Sequence, residues 1–302
     1  MNGRIPHIVQ YQGSKRMLAS EILRYMPKKF NRLIEPFSGM AAISIAVAFQ
    51  KRANEYHIND LNEPIVCLLQ TVIENPAEIV DKYKRIWEEQ FNFPDGHIEH
   101  FNYIRELFNA GDKSAENMLY LLARCVKGAV RYGKNRNFNQ SPDKRRNGTK
   151  PTTIATNVHA ISHILKGRVL FSALDYRRVL EIAKPGDLVY MDPPYQGVTN
   201  TRDNRYFSGV NFDEFVSAVA VLNRNQVDYI ISYDGICGEK EYGSELPQEL
   251  NCTKILLDAG LSTQATLLGK RHTTYEALYI SQNLSLPIDI TQRQLTLLES
   301  VV

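Results

Sequence analysis

An uncharged stretch rich in Ala and Ile, Ala41 to Phe49, lies between two short apolar runs and constrains the fold more than any other feature of this chain. A helix without a polar face has to be buried. The run before it, Arg32-Leu33-Ile34-Glu35, reads as a strand that breaks at Pro36 into the small-residue loop Phe37-Ser38-Gly39-Met40. The run after it, Glu55 to Asn59, reads as a second short strand that ends in the acid Asp60. Strand, glycine loop and helix start form the front half of a nucleotide-binding βαβ unit.

The spacing narrows the ligand. Asp60 lies 21 residues after Gly39, close to the ~20 expected of an acid that meets a ribose or its base. The loop has a single glycine and no GxGxxG, which argues against a pyrophosphate-bearing dinucleotide and so against an NAD-dependent oxidoreductase. A ligand with an adenosine end and no phosphate needs no such cradle, and S-adenosylmethionine is that ligand.

A second constellation follows the apolar run Leu188-Val189-Tyr190-Met191: the tetrad Asp192-Pro193-Pro194-Tyr195. It stands where a buried strand turns into a loop, the place where open α/β sheets bind ligands. Proline donates no hydrogen bond and stiffens the backbone, so the Pro193 carbonyl is expected to stay available beside the Asp192 carboxylate. Two adjacent acceptors suit an exocyclic NH₂ group, and Tyr195 offers a flat face for a base. An aromatic amine is a poor nucleophile because its lone pair is delocalised. Acceptors on both hydrogens push the nitrogen towards tetrahedral geometry and stabilise the charge that develops on it.

Between these two constellations the charge is concentrated. From Arg124 to Lys150 there are nine basic residues against one acid, in a chain whose net charge is only +3. The remainder is therefore acidic. Asn135, Asn137, Asn139, Gln140 and Asn147 share the segment with Tyr132 and Phe138. Lys and Arg attract phosphates, while Asn, Gln and Arg read base edges. Arg131, Lys134, Arg136, Lys144, Arg145 and Arg146 are the candidate nucleic-acid contacts of this segment, the alternative being a solvated basic loop.

Local patterns place these segments. Ser20–Met26 reads as the end of a first helix closed by Pro27. Leu61–Glu74, Glu78–Glu89, His100–Phe108 and Ala115–Lys127 read as helices, and Gly128–Pro151 as turn and loop. Val169–Ser172 and Asp187–Met191 read as core strands around a Tyr176–Ala183 helix. Asn211 with Glu214 opens a further helix through a capping-box-like start. Asp228–Tyr233 and Tyr275–Ser281 supply further strands, the latter antiparallel through a Lys270-Arg271-His272 turn. This predicts one discontinuous α/β domain, 1–75 with 152–302, interrupted at 76–151 by a helical and basic insertion.

In the same order along the chain, Tyr11-Gln12-Gly13-Ser14-Lys15, Glu35-Pro36-Phe37-Ser38-Gly39, Asn59-Asp60, Gly128 to Asn139, Phe171 to Tyr176, the Asp192–Tyr195 tetrad and Gly269-Lys270-Arg271 leading into Glu276-Ala277-Leu278-Tyr279 resemble the Dam-type DNA adenine methyltransferases. Ser38 and Met40 stand where that family is often richer in glycine, and Tyr11 where tryptophan is common. The resemblance implies a class I S-adenosylmethionine-dependent methyltransferase fold, Rossmann-like, with an inserted target-recognition region. It implies methyl transfer from S-adenosylmethionine to the N6 amine of adenine in double-stranded DNA, with the base flipped out. The implied cofactor residues are Tyr11, Lys15, Phe37, Asp60 and Asp192, and the implied catalytic residues are Asp192, Pro193, Pro194 and Tyr195. An N4-cytosine methyltransferase poses the same amine problem, and a catalytically silent DNA-binding protein of the same fold is the alternative from another class. Protein or RNA methylation fits less well, because those relatives more often begin the tetrad with Asn.

The remaining expectations come from composition. Cys67, Cys125, Cys237 and Cys252 form no CxxC pair and read as reduced thiols. His97/His100 and His159/His163 have helical spacing but no HExxH pattern or cysteine cluster, so no metal is expected. No signal-peptide core or membrane-length apolar run is visible. The expected setting is the cytoplasm of a prokaryotic or phage-infected cell, at the nucleoid. There a monomer (or a dimer) would act in restriction–modification or DNA marking, with a cognate restriction endonuclease as a further partner.

Overall fold

A computed structural model describes residues 4–133, 135–194, 210–237, 240–241, 245–261 and 273–285. The strands are β1 (Phe30–Glu35), β2 (Ala53–Asn59), β3 (Val169–Ser172), β4 (Asp187–Met191), β5 (Asp228–Cys237), β6 (Lys240–Glu241), β7 (Cys252–Leu261) and β8 (Thr273–Ser281). They form one sheet in the order β3-β2-β1-β4-β5-β8-β7, with β6 paired to β5. The five strands from β3 to β5 are mutually parallel, and β8 is antiparallel to both of its neighbours. Chain order reverses at β1, which pairs with β2 on one side and β4 on the other. This switch point opens a crevice at the carboxyl ends of the strands. It is a Rossmann-like sheet with an antiparallel edge, as expected from the sequence.

Period-2 alternation sorts the strand residues into two cores. Leu33, Leu188, Tyr190 and Ile230 face one layer, while Ile34, Val189, Met191, Tyr229 and Ile231 face the other. The second layer is α8 (Tyr176–Glu181) and α9 (Phe212–Arg224), whose Val179, Leu180, Phe215, Val219 and Leu222 fill it. The first layer holds α2 (Ala42–Phe49), buried from Ile43 to Ala48 as its lack of charge requires, together with α3 (Glu63–Glu74) and α7 (Pro151–Leu165). A short α1 (Ala19–Ile22) followed by a 3₁₀ turn covers its edge.

The helices between α3 and α7 join this first core rather than building one of their own. They are α4 (Pro76–Glu89), α5 (Gly96–Ala110) and α6 (Ala115–Arg124). Ile79, Tyr83, Phe101, Phe108 and Met118 belong to the same cluster as Leu33 and Tyr56. Proline opens α3, α4 and α7 in the first turn, where its missing N–H costs no hydrogen bond.

Several boundaries differ from the sequence reading. α6 ends at Arg124 instead of Lys127, because Cys125 turns extended and bridges Pro142 while Lys127 takes φ 62°. The stretch read as loop after Gly128 folds back as an irregular hairpin, bridged at Cys125–Pro142 and at Tyr132–Phe138. β7 is a full strand that no local signal announced. The Lys270-Arg271-His272 turn lies outside the described residues.

Candidate active site

Three loops at the carboxyl ends of the parallel strands are locked to one another. Asn59, fully buried at the end of β2, donates to the carbonyls of Pro36 (2.8 Å) and Leu174 (2.9 Å). Its side-chain oxygen accepts from the Ser172 hydroxyl at 2.6 Å and the Leu174 amide at 2.9 Å. One amide thus ties together the ends of β1, β2 and β3. The Ser38 amide donates to the Asn59 carbonyl at 2.9 Å. Asp60 then closes the arrangement, accepting from the Gly39 amide on one oxygen and the Asn62 amide on the other, both at 2.9 Å. Burial raises its pKa above the usual range, while these two amides oppose the shift.

The loop after β1 is tight. Gly39 and Ala41 have φ of 48° and 52°, the left-handed region that costs a non-glycine residue about 1–2 kcal/mol. A Cβ on Gly39 would lie 3.0 Å from Cε1 of Tyr11, so the Tyr11 ring lies directly on this glycine. Glu35, the last residue of β1, turns back to cap α2. Its Oε2 accepts from the Ser44 amide at 3.0 Å and from the Ser44 hydroxyl at 2.5 Å. Full burial lifts its pKa to about 8 against these bonds, with a smaller push from Asp192, so Glu35 is largely protonated at neutral pH.

The switch-point crevice also holds the only two sequence-predicted site residues that bond each other directly among the described residues. Lys15 is buried, and its Nζ lies 2.7 Å from Oδ1 of Asp192. The same ammonium lies 2.9 Å from Oε1 of Glu276 on β8. The Ser232 hydroxyl on β5 donates to that Glu276 oxygen at 2.8 Å. Burial raises the Asp192 pKa to about 6; Glu276 pushes it in the same direction, and Lys15 holds it down. Pro193 is buried and Pro194 half-buried. Tyr195 and Lys134 lie outside the described residues, as does the 195–209 loop.

Phe37 is placed apart from this ion-paired group. Its ring joins the second core, 5.1 Å from Tyr176 and 6.5 Å from Phe215. Glu35 and Glu276 are the site residues that sequence reasoning passed over, although both stood inside segments carrying the resemblance. An acid within an otherwise apolar strand pattern was the available signal.

The basic segment is largely exposed: Arg131, Arg136, Lys144, Arg145 and Arg146 all face solvent. Arg124, counted with them in the sequence, does not. It is fully buried and donates to the carbonyls of Asp143 (3.1 Å), Arg146 and His97 (3.4 Å). Gln90 donates to the Asn147 carbonyl and Tyr83 to that of Thr149, so the 143–149 backbone is fastened by three buried side chains. Tyr132 and Phe138, read as interleaved aromatics, are buried in the hairpin. The Tyr132 hydroxyl donates to Asn62 at 2.9 Å, which links the hairpin to the Asp60 loop.

Comparison with known proteins agrees with this geometry. The sequence model of the D12 class of N6 adenine-specific DNA methyltransferases matches residues 11–259. The DNA N-6-adenine-methyltransferase of Escherichia phage P1 is 26% identical over 235 residues, which make up 76% of this chain and 30% of that protein. The retron Ec67 DNA adenine methylase of Escherichia coli is 25% identical over 69% of this chain and 67% of its own length. A type II methyltransferase of Lactococcus lactis subsp. cremoris is 25% identical over 64% of this chain and 66% of its own. The match runs from the Tyr11 segment through the locked loops and the Asp192 strand end into β7. The chain belongs to the D12 class of N6 adenine-specific DNA methyltransferases.

Proposed function

We propose that this chain carries out its family's reaction, methylation of the adenine N6 amine in double-stranded DNA, through Asp192, Pro193, Pro194 and Tyr195. The observation that carries this reading is the Asp192 carboxylate beside the switch point, bonded through Oδ1 to the buried Lys15. Its Oδ2 and the Pro193 carbonyl are then the two acceptors for the amine hydrogens. They draw the nitrogen towards tetrahedral geometry and stabilise its developing charge. With a pKa of about 6, Asp192 is ionised above that pH and basic enough to take up a proton that the methylated amine sheds. Tyr195 supplies the face on which the base stacks.

The charge of the site selects the cofactor. Asp60, Asp192 and Glu276 stand at or beside the crevice with Lys15 as the cation among them. Such a balance repels a pyrophosphate and suits a ligand carrying a sulfonium and an ammonium, which is S-adenosylmethionine. When bound, it supplies an electrophilic methyl carbon. Asp60 is assigned to its adenosine portion, Lys15 to its methionine end, and Tyr11 and Phe37 to its flanks.

A base inside a duplex cannot bring its amine to Asp192, so the target has to be flipped out of the stack. Residues 76–151 are assigned as the target-recognition region. Arg131 and Arg136, in the hairpin, are assigned to base edges and Lys144, Arg145 and Arg146 to phosphates, with Lys134 as a further candidate DNA contact. A role in restriction–modification draws support from the type II methyltransferase among the relatives; stand-alone DNA marking uses the same chemistry. Transfer of tritium from labelled S-adenosylmethionine to duplex DNA, followed by nucleoside analysis, tests the reading. Label in N6-methyladenosine is expected. Label in N4-methylcytosine would move the assignment to the other base, and its absence from DNA would leave a silent binder.

A further inference from the structure

We infer that Glu276 is a positioning residue for methyl transfer: from β8 it holds the Lys15 ammonium in a bridge to Asp192, and so controls the charge that the catalytic carboxylate presents to the target amine. The inference rests on the assignment of Asp192 above. Lys15 stands between two carboxylates, 2.7 Å from Asp192 and 2.9 Å from Glu276, with side-chain exposures of 8%, 20% and 13% for the three groups. One ammonium brings a single positive charge to two carboxylates. Glu276 is itself oriented, since the Ser232 hydroxyl on the neighbouring strand donates to the same oxygen that meets Lys15. The β5–β8 register, Ser232 opposite Leu278 and Tyr233 opposite Ala277, places the two side chains on adjacent strands.

Four ionisable groups face Asp192 among the described residues. They are Lys15 from the N-terminal segment, Glu276 from β8, Glu35 from the end of β1 and Tyr190 from β4 itself. Burial keeps Glu35 protonated up to about pH 8 and holds the Tyr190 phenol well above its ordinary range. The remaining two, Lys15 and Glu276, are the ion-paired neighbours of Asp192. The acid repels Asp192 directly and also competes for its lysine. Both effects oppose ionisation of Asp192, so removing the charge of Glu276 should let Asp192 ionise at lower pH.

The test is the pH profile of single-turnover methyl transfer in wild type, Glu276→Gln and Glu276→Asp, each checked for folding by thermal melting. Glutamine keeps the shape and the acceptor for Ser232 while losing the charge; aspartate keeps the charge. The acidic limb of Glu276→Gln is expected about one pH unit lower than wild type, and that of Glu276→Asp close to wild type. Ser232→Ala, which removes the hydroxyl that stabilises the charged Glu276, should shift the limb the same way by less; it serves as the second arm if the glutamine variant does not fold. An unmoved limb in Glu276→Gln, an equal shift in Glu276→Asp, or an active wild type without an acidic limb would overturn the inference. A wild type that transfers no methyl group to DNA would instead overturn the functional assignment beneath it.

Discussion

Glu35, buried, and Asp192, partly buried, are two carboxyls in one crevice that serve opposite ends. Asp192 is held near the charged state by Lys15, whereas the donors to Glu35 are neutral, the amide and hydroxyl of Ser44 and the Ile43 amide. Its folded pKa of about 8 lies above the ordinary 4.5. As pH rises between those values the unfolded chain gives up a proton that the folded chain keeps, so the stability contributed by neutral Glu35 is lost as pH rises. Glu35→Gln, which cannot ionise, is therefore expected to melt progressively higher than wild type as pH is raised from about 5 to about 8. A gap that stays constant with pH, or narrows, would contradict the protonated state assigned here. Neither Glu35 nor Glu276 could be assigned from the sequence, because an isolated acid does not name its partner. Lys15 and Asp192 are 177 positions apart; motif order marked both residues, but their pairing needed the sheet to bring them together.

At the scale of elements, the locked loops explain why the strand ends were legible. Parallel strands buried on both faces read as continuous apolar runs, and Leu188–Met191 is one. The start of α9 was legible too, since the Asn211 side chain accepts from the Glu214 amide at 3.1 Å. β7 was not, because Lys254 and Asp258 interrupt its apolar pattern and its pairing partner β8 comes later in the chain. The hairpin after α6 was read as loop because what holds it is non-local: Asn109 bonds both the amide and the carbonyl of Phe138. Gly128 joins this hairpin to the cofactor half. It has φ 59°, its carbonyl accepts from the Gln12 amide at 3.0 Å, and a Cβ there would lie 2.0 Å from the Gln10 carbonyl oxygen. Gly128→Ala should cost about 1–2 kcal/mol from its backbone alone. Relief of the clash should also displace the segment that carries Tyr11 and Lys15. Melting and calorimetry of S-adenosylmethionine binding without DNA should both show a loss; a variant that binds and melts like wild type would separate the hairpin from the cofactor segment.

Across the described residues, the candidate DNA contacts and the catalytic group occupy different regions: Arg131, Arg136, Lys144, Arg145 and Arg146 lie on the hairpin and the segment after it, and Asp192 lies at the end of β4. Buried Arg124, Gln90 and Tyr83 fix the backbone from which Lys144, Arg145 and Arg146 project. A backbone already ordered loses less entropy on meeting phosphates. Neutralising those three together should weaken binding to all DNA sequences and reduce the slope of log K against log salt by roughly 2–3. An unchanged slope would make the segment a solvated surface without a role in DNA binding.

The central claim is that the Asp192 carboxylate at the end of β4 activates the target amine, and single-turnover methyl transfer by Asp192→Ala, at saturating DNA and S-adenosylmethionine, tests it most directly. A rate at least ~10²-fold below wild type is expected in a protein that melts cooperatively; a rate near that of wild type would show that Asp192 does not activate the amine.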